Sequence, residues 1–186
     1  MGIRINWFGL AGGVTVFLAI VASMFVPWWQ LTIGDNLVNA KVSPLNTNFN
    51  VLGSAFTIPL IWVLNIVGLL TMIFSGVAML IYSIVPTKPF SNQLLAFGYK
   101  KPLFTVLFFV IILFALTAIL QAALNITVPL SGSATSTAQL PFVPGTTIEA
   151  TIVAQFQWSF WVAAVAAGLC LAARLYHGKV AAVPHA

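Results

Sequence analysis

The sequence predicts an all-α membrane protein, a four-transmembrane-helix bundle with a small extracellular β-hairpin or sheet cap. Three observations predict it. The 186 residues are 61% hydrophobic and only 5% charged, with a mean hydropathy of +1.07, whereas a soluble domain carries about 25% charged residues. Four apolar stretches, roughly 7–26, 56–84, 103–124 and 152–173, each reach the ~20 residues with which a helix crosses a hydrocarbon core. After the first stretch the sequence changes to apolar–polar alternation, the period of a half-buried strand.

The first span carries Gly9 and Gly13 four residues apart, a spacing that lets two helix backbones approach closely. Val21-Ala22-Ser23 resembles a signal-peptide cleavage site after an apolar run, but the run is expected to be retained as a span. Met1-Gly2 opens a myristoylation motif that fails at Asn6, where Ser or Thr is required. Pro27 stops the span, and Trp28 and Trp29 are expected to anchor at the headgroup level. "QLTIGDNLVNAKV" then reads as a hairpin over about 28–33 and 37–43, turning at Gly34-Asp35-Asn36, residues that tolerate positive φ. An isolated hairpin is marginal in water, so a further strand or surface is expected beside it.

Pro59 falls in the first turns of span two, where its missing N–H costs little; Pro86 and Pro89 end that span, and Pro102 is expected to open span three. Between them, the stretch around Leu94 to Tyr99 is expected to lie on the membrane surface, with Lys100 and Lys101 at anionic headgroups. The second outer connection supplies two short strands, "NITVPL" and "AQLPFV", around a soft "SGSATST" turn. Its Asn125-Ile126-Thr127 is a sequon, which makes Asn125 the candidate glycosylation site. Span four repeats small residues at Ala164, Gly168 and Ala172, beside Ala163 and Ala167, and is expected to pack on two neighbours.

Charge sets the orientation. Arg4, Lys88, Lys100, Lys101, Arg174 and Lys179 share one side; Lys41, Asp35 and Glu149 share the other. By the positive-inside rule, this is an integral membrane protein, expected in the cell membrane with both termini cytoplasmic. The tyrosines Tyr82, Tyr99 and Tyr176 fall at the inner boundary, and Trp28, Trp29 and Trp158 at the outer one. The few titratable groups outside fit either an acid-adapted cap, as around an acidophilic archaeon, or simply a small neutral one.

Several chemistries are not expected. No Asp, Glu, Lys, Arg or His sits in the interior of any span, which argues against coupled transport. One cysteine, Cys170, permits no intramolecular disulfide, and both histidines, His177 and His185, lie in the tail. No HExxH, GxSxG or P-loop motif occurs, so neither a catalytic residue nor a metal site is expected, and nucleic acid is not expected as a partner. The polar residues Asn65, Gln121, Gln155 and Gln157 all fall in the outer halves of the spans. They form an intramembrane polar cluster, read either as interhelical glue or as the lining of a quinone or lipid site. No cofactor is expected beyond such a bound lipid or quinone.

The four-span layout, with "VPWWQLTI" at the first exit, resembles the claudin and peripheral-myelin-protein type of tetraspan fold. The resemblance implies that the first outer connection supplies most of a small β-sheet and that the second adds to it. The family's paired cysteines are absent here, so the sheet is expected to be held by packing and by partners. The chain thus reads as one four-span domain over 1–186. The expected function is a non-enzymatic membrane subunit or scaffold that assembles laterally, with itself or with other membrane proteins, among membrane lipids. The alternatives are an accessory subunit of a respiratory or oxidase-type complex and, after it, a small-molecule permease or channel.

Overall fold

The computed structural model describes residues 5–34, 36–124, 127–139 and 147–181. Four helices, α1 (Trp7–Phe25), α2 (Pro59–Ile84), α3 (Ser91–Leu124) and α4 (Trp158–Ala181), are joined with six strands: β1 (Trp29–Ile33), β2 (Val38–Val42), β3 (Asn48–Val51), β4 (Ser54–Phe56), β5 (Gly132–Gln139) and β6 (Thr147–Phe156). All four helices are long and apolar enough to span a membrane, which makes this a membrane protein. The all-α class is corrected. The strands form one antiparallel sheet in the order β4-β3-β2-β1-β6-β5, too large a component for a cap on an otherwise helical protein.

The sheet outgrew its sequence signal in three places. The hairpin at β1 and β2 is where alternation placed it, and its turn uses positive φ at Gly34 and Asn36. A second hairpin, β3–β4, turns through only two residues, Leu52 (φ 51°) and Gly53 (φ 81°), between the paired Val51 and Ser54. Positive φ at both positions marks a type I′ turn, but leucine is an unusual residue for it. In the second connection "SGSATST" is not a turn, because Gly132–Gln139 is β5. Of the two short strands expected there, "NITVPL" contributes no strand among its described residues, and "AQLPFV" falls largely outside the described residues.

The fourth span starts later than expected. Residues 152–156 are not helical; they pair with β1, Ile152 against Ile33 and Phe156 against Trp29, so Ile152 and Ala154 are buried on one face with period two. In the other direction α3 starts earlier, at Ser91, whose Oγ donates to the Pro86 carbonyl (2.8 Å). Residues 91–101 are therefore helix rather than connection, and Pro102 lies inside α3 instead of opening it.

The helices form a ring: α1 packs on α2 and α4, and α3 touches both of those. Close approach is concentrated on α1. A Cβ at Gly13 would stand 2.7 Å from Leu80 Cδ2 on α2, and one at Gly12 would stand 2.9 Å from Cys170 Sγ on α4. Glycine thus brings α1 against both neighbours. Two apolar cores result, one inside the ring around Val16, Met72, Met79 and Tyr82, the other where the sheet meets the helices around Trp28, Trp29, Phe109 and Phe160.

Candidate functional site

Alternation gives the sheet two chemically different faces. Leu31, Ala40, Ile152 and Ala154 point into the core. The opposite face carries amides. Register aligns Asn50, Asn39 and Thr32 in one cross-strand row, and Asn48, Lys41, Gln30 and Gln155 in the next. Over the β2–β4 half, this face and the last turn of α1 border a cavity of about 570 Å³ lined by Asn36, Asn39, Lys41, Asn46, Asn48 and Asn50, with Met24, Phe25 and Pro27 at its α1 side. Asn39 Oδ1 is buried there without a hydrogen-bond partner.

The chemistry of this cleft follows from its donors. Each amide offers two N–H donors and a carbonyl acceptor and does not ionise, and Lys41 is the only charge in the lining among the described residues. A buried acceptor left unpaired is costly, and Asn39 Oδ1 is the one such side-chain atom among the described residues. The cleft suits an uncharged polar partner surface.

The intramembrane polar cluster does not assemble. Gln155 is exposed on β6, opposite Gln30. Gln157 lies between β6 and α4 and donates its backbone N–H to the Trp28 carbonyl (2.9 Å). Gln121 is exposed near the end of α3. Asn65 alone is a half-buried helix residue, and its role is a latch: with its amide turned to match both neighbours, it donates to the Ser43 carbonyl (3.2 Å) and accepts from the Thr47 N–H (2.9 Å). The physical reason is the shorter α4, which leaves residues 155 and 157 in the sheet and its exit. The quinone-site reading rested on these amides meeting.

Three of the expected interface anchors are core residues instead. Trp28 is 0% and Trp29 2% exposed. Trp28 Nε1 donates to Ser23 Oγ (2.7 Å) while its ring meets Phe109 and Phe160 edge-on, at centroid distances of 5.2 and 6.0 Å. Trp29 Nε1 donates to the Leu130 carbonyl (2.8 Å). Tyr82 is fully buried, and its hydroxyl accepts from Asn6 Nδ2 (2.9 Å). A buried tryptophan needs a partner for its N–H, and both indoles have one. Trp158 (55% exposed) and Tyr176 remain at the surface near helix ends, joined by Trp7, Trp62 and Trp161, while Tyr99 is half-buried.

The small-residue rows divide. Gly9 and Gly13 are buried against Tyr82, Ser83 and Leu80 of α2, so this row is used within the chain. On α4 the row that packs inward is Ala163, Ala166, Ala167, Cys170 and Ala173. Ala164 and Ala172 are half-buried, and Gly168 is exposed with nothing within 4 Å of a Cβ placed there. Asn125 lies outside the described residues.

Two residues escaped the sequence reading. Asn6 caps α1 by accepting from the Gly9 N–H (3.1 Å), and its Nδ2 also donates to the Ala173 carbonyl (3.1 Å), which ties α1, α2 and α4 together. An asparagine directly before an apolar run is an N-cap signal. Gly68, one turn from Asn65, lets the Pro44 carbonyl rest against α2, in space that a Cβ would occupy. No protein-family model matches the chain, and neither does any curated protein. Neither comparison supports the resemblance to the claudin type.

Proposed function

We propose that this chain is a non-enzymatic integral membrane subunit that assembles laterally, primarily with a second copy of itself, with both termini cytoplasmic and the sheet outside. The observation that carries this reading is the α4 row Ala164, Gly168 and Ala172, which faces away from the chain's own core and leaves Gly168 uncovered. Small residues four apart are the surface on which membrane helices approach one another most closely. The row runs beside exposed Trp161 and Val165, so a second helix seated there also gains dispersion contacts. Above the membrane, the asparagine cleft is the face offered to a polar partner. The orientation rests on the basic residues gathered at the end of the bundle opposite the sheet.

The test is size. In mild detergent the wild-type chain is expected to migrate as an oligomer, and Gly168→Leu as a monomer with unchanged circular dichroism, since a Cβ at this exposed position has nothing of its own chain within 4 Å. A wild type that is monomeric and free of partners refutes lateral assembly.

A further inference from the structure

The end of the bundle away from the sheet holds Lys88, Lys100, Lys101, Arg174 and Lys179 and, among the described residues, no acidic side chain. Both acidic residues of the chain, Asp35 and Glu149, belong to the connections that build the sheet. Two of the cations lie over aromatic rings: Lys101 Nζ is 5.5 Å from the Phe97 centroid and Lys179 Nζ 4.8 Å from that of Tyr176. Lys100 and Arg174 are placed differently. Together with Asn92, Ala96, Tyr99 and His177 they line a cavity of about 440 Å³ between α3 and α4.

The cavity is built by two helix faces. Asn92, Ala96, Tyr99 and Lys100 recur at the spacing of one face of α3, and Arg174 and His177 stand one turn apart on α4. Its floor is held. Tyr82 Oη, which accepts from Asn6, lies 2.9 Å from His177 Nδ1. With Tyr82 donating to Nδ1, a neutral imidazole carries its proton on Nε2, which leaves that N–H as the donor the ring can offer. Arginine's planar fork and a lysine point charge are the pair of groups that bind phosphate. Two cations lining one cavity that has no carboxylate in its lining favour an anionic ligand there.

The surface beyond the cavity tells a lipid from a soluble anion. Continuing along α3 from Lys100 by single turns, Phe104, Phe108 and Ile111 are exposed, and the two phenylalanine rings lie 5.9 Å apart. A molecule with its phosphate at Lys100 and Arg174 finds a continuous apolar track for its chains. We propose that this cavity binds the phosphate headgroup of an anionic phospholipid, its acyl chains lying along Phe104 and Phe108. Basic pockets between spans are known to take such headgroups.

The test is native mass spectrometry of the full chain released from nanodiscs of phosphatidylcholine doped with phosphatidylglycerol. Wild type is expected to retain phosphatidylglycerol selectively. Lys100→Gln/Arg174→Gln is expected to lose it by about 100-fold, at about tenfold per charge-assisted hydrogen bond to the phosphate, with unchanged circular dichroism. Lys88→Gln/Lys179→Gln, which removes the same charge elsewhere on that end, is expected to retain it. Equal loss in both double variants means general charge attraction and overturns the site. A second arm adds inorganic phosphate at the concentration of the lipid: displacement of the lipid identifies a free-anion site and overturns the lipid assignment, whereas persistence of the lipid supports it.

Discussion

Replacing Trp28 with alanine separates a core tryptophan from a membrane anchor. The side chain is 0% exposed, fills the junction between the sheet and the helices, and makes two edge-on aromatic contacts and one hydrogen bond to Ser23. Buried Trp→Ala changes cost about 3–5 kcal/mol, because transfer energy is lost and the cavity only partly collapses. Ser23 itself loses little, since its Oγ still donates to the Ala19 carbonyl (2.6 Å). For a chain of this size, about 4 kcal/mol corresponds to a midpoint roughly 10 °C lower. Trp28→Phe keeps most of the packing and forfeits the N–H, for about 1–2 kcal/mol. Trp158→Ala, at a side chain 55% exposed, is expected to stay within about 0.5 kcal/mol of wild type. Thermal unfolding followed by circular dichroism in one detergent ranks the three variants. If Trp28→Ala and Trp158→Ala shift the midpoint equally, the core assignment of Trp28 is wrong.

Other substitutions probe the remaining joints. Gly68→Ala drives a methyl into the Pro44 carbonyl and is expected to cost about 1–3 kcal/mol, seen as faster limited proteolysis within residues 43–47 while the helices stay intact. Asn6→Ala removes the α1 cap and the ties to Tyr82 and Ala173. Its expected loss of about 2 kcal/mol is half restored by Asn6→Ser, which keeps the cap alone; no recovery in Asn6→Ser contradicts the capping role. Leu52→Asn has the opposite sign. Leu52 is exposed and held at φ 51°, so an Asn-Gly turn is expected to stabilise the β3–β4 hairpin by about 0.5–1 kcal/mol, read as a higher unfolding midpoint.

The four helices were legible because a span needs little more than about 20 apolar residues, and the first hairpin because Gly34 and Asn36 sit between alternating segments. What hid the rest of the sheet was local. In β6, Ile152, Ala154 and Phe156 alternate with Val153 as well as with polar residues, and the run adjoins an apolar helix, so period two was lost in overall hydrophobicity. β5 has no large apolar residue to mark a face, and Leu52 disguises a turn usually announced by asparagine or glycine. Tryptophan beside a membrane exit reads the same whether it anchors or packs. Only the partners of the two indole N–H groups, Ser23 and Leu130, distinguish these cases. The asparagine cleft is half visible: Asn39 and Lys41 alternate, as do Asn48 and Asn50, but their union depends on the register that sets Asn39 against Asn50 and Lys41 against Asn48. The cavity at Lys100 and Arg174 joins residues far apart in sequence. Reading α3 as starting only near residue 103 concealed the face that Asn92, Ala96 and Lys100 share.

Lateral assembly through α4 is tested most directly by cysteine cross-linking in intact membranes. In a Cys170→Ala background, which removes the chain's only thiol, Gly168→Cys and Ala167→Cys place a thiol at neighbouring positions about 100° apart around the helix, one on the uncovered row and one in the core. Mild oxidation is expected to give a covalent dimer from Gly168→Cys and none from Ala167→Cys. A membrane in which Gly168→Cys stays monomeric, while the folded chain is otherwise unchanged, contradicts assembly through this face.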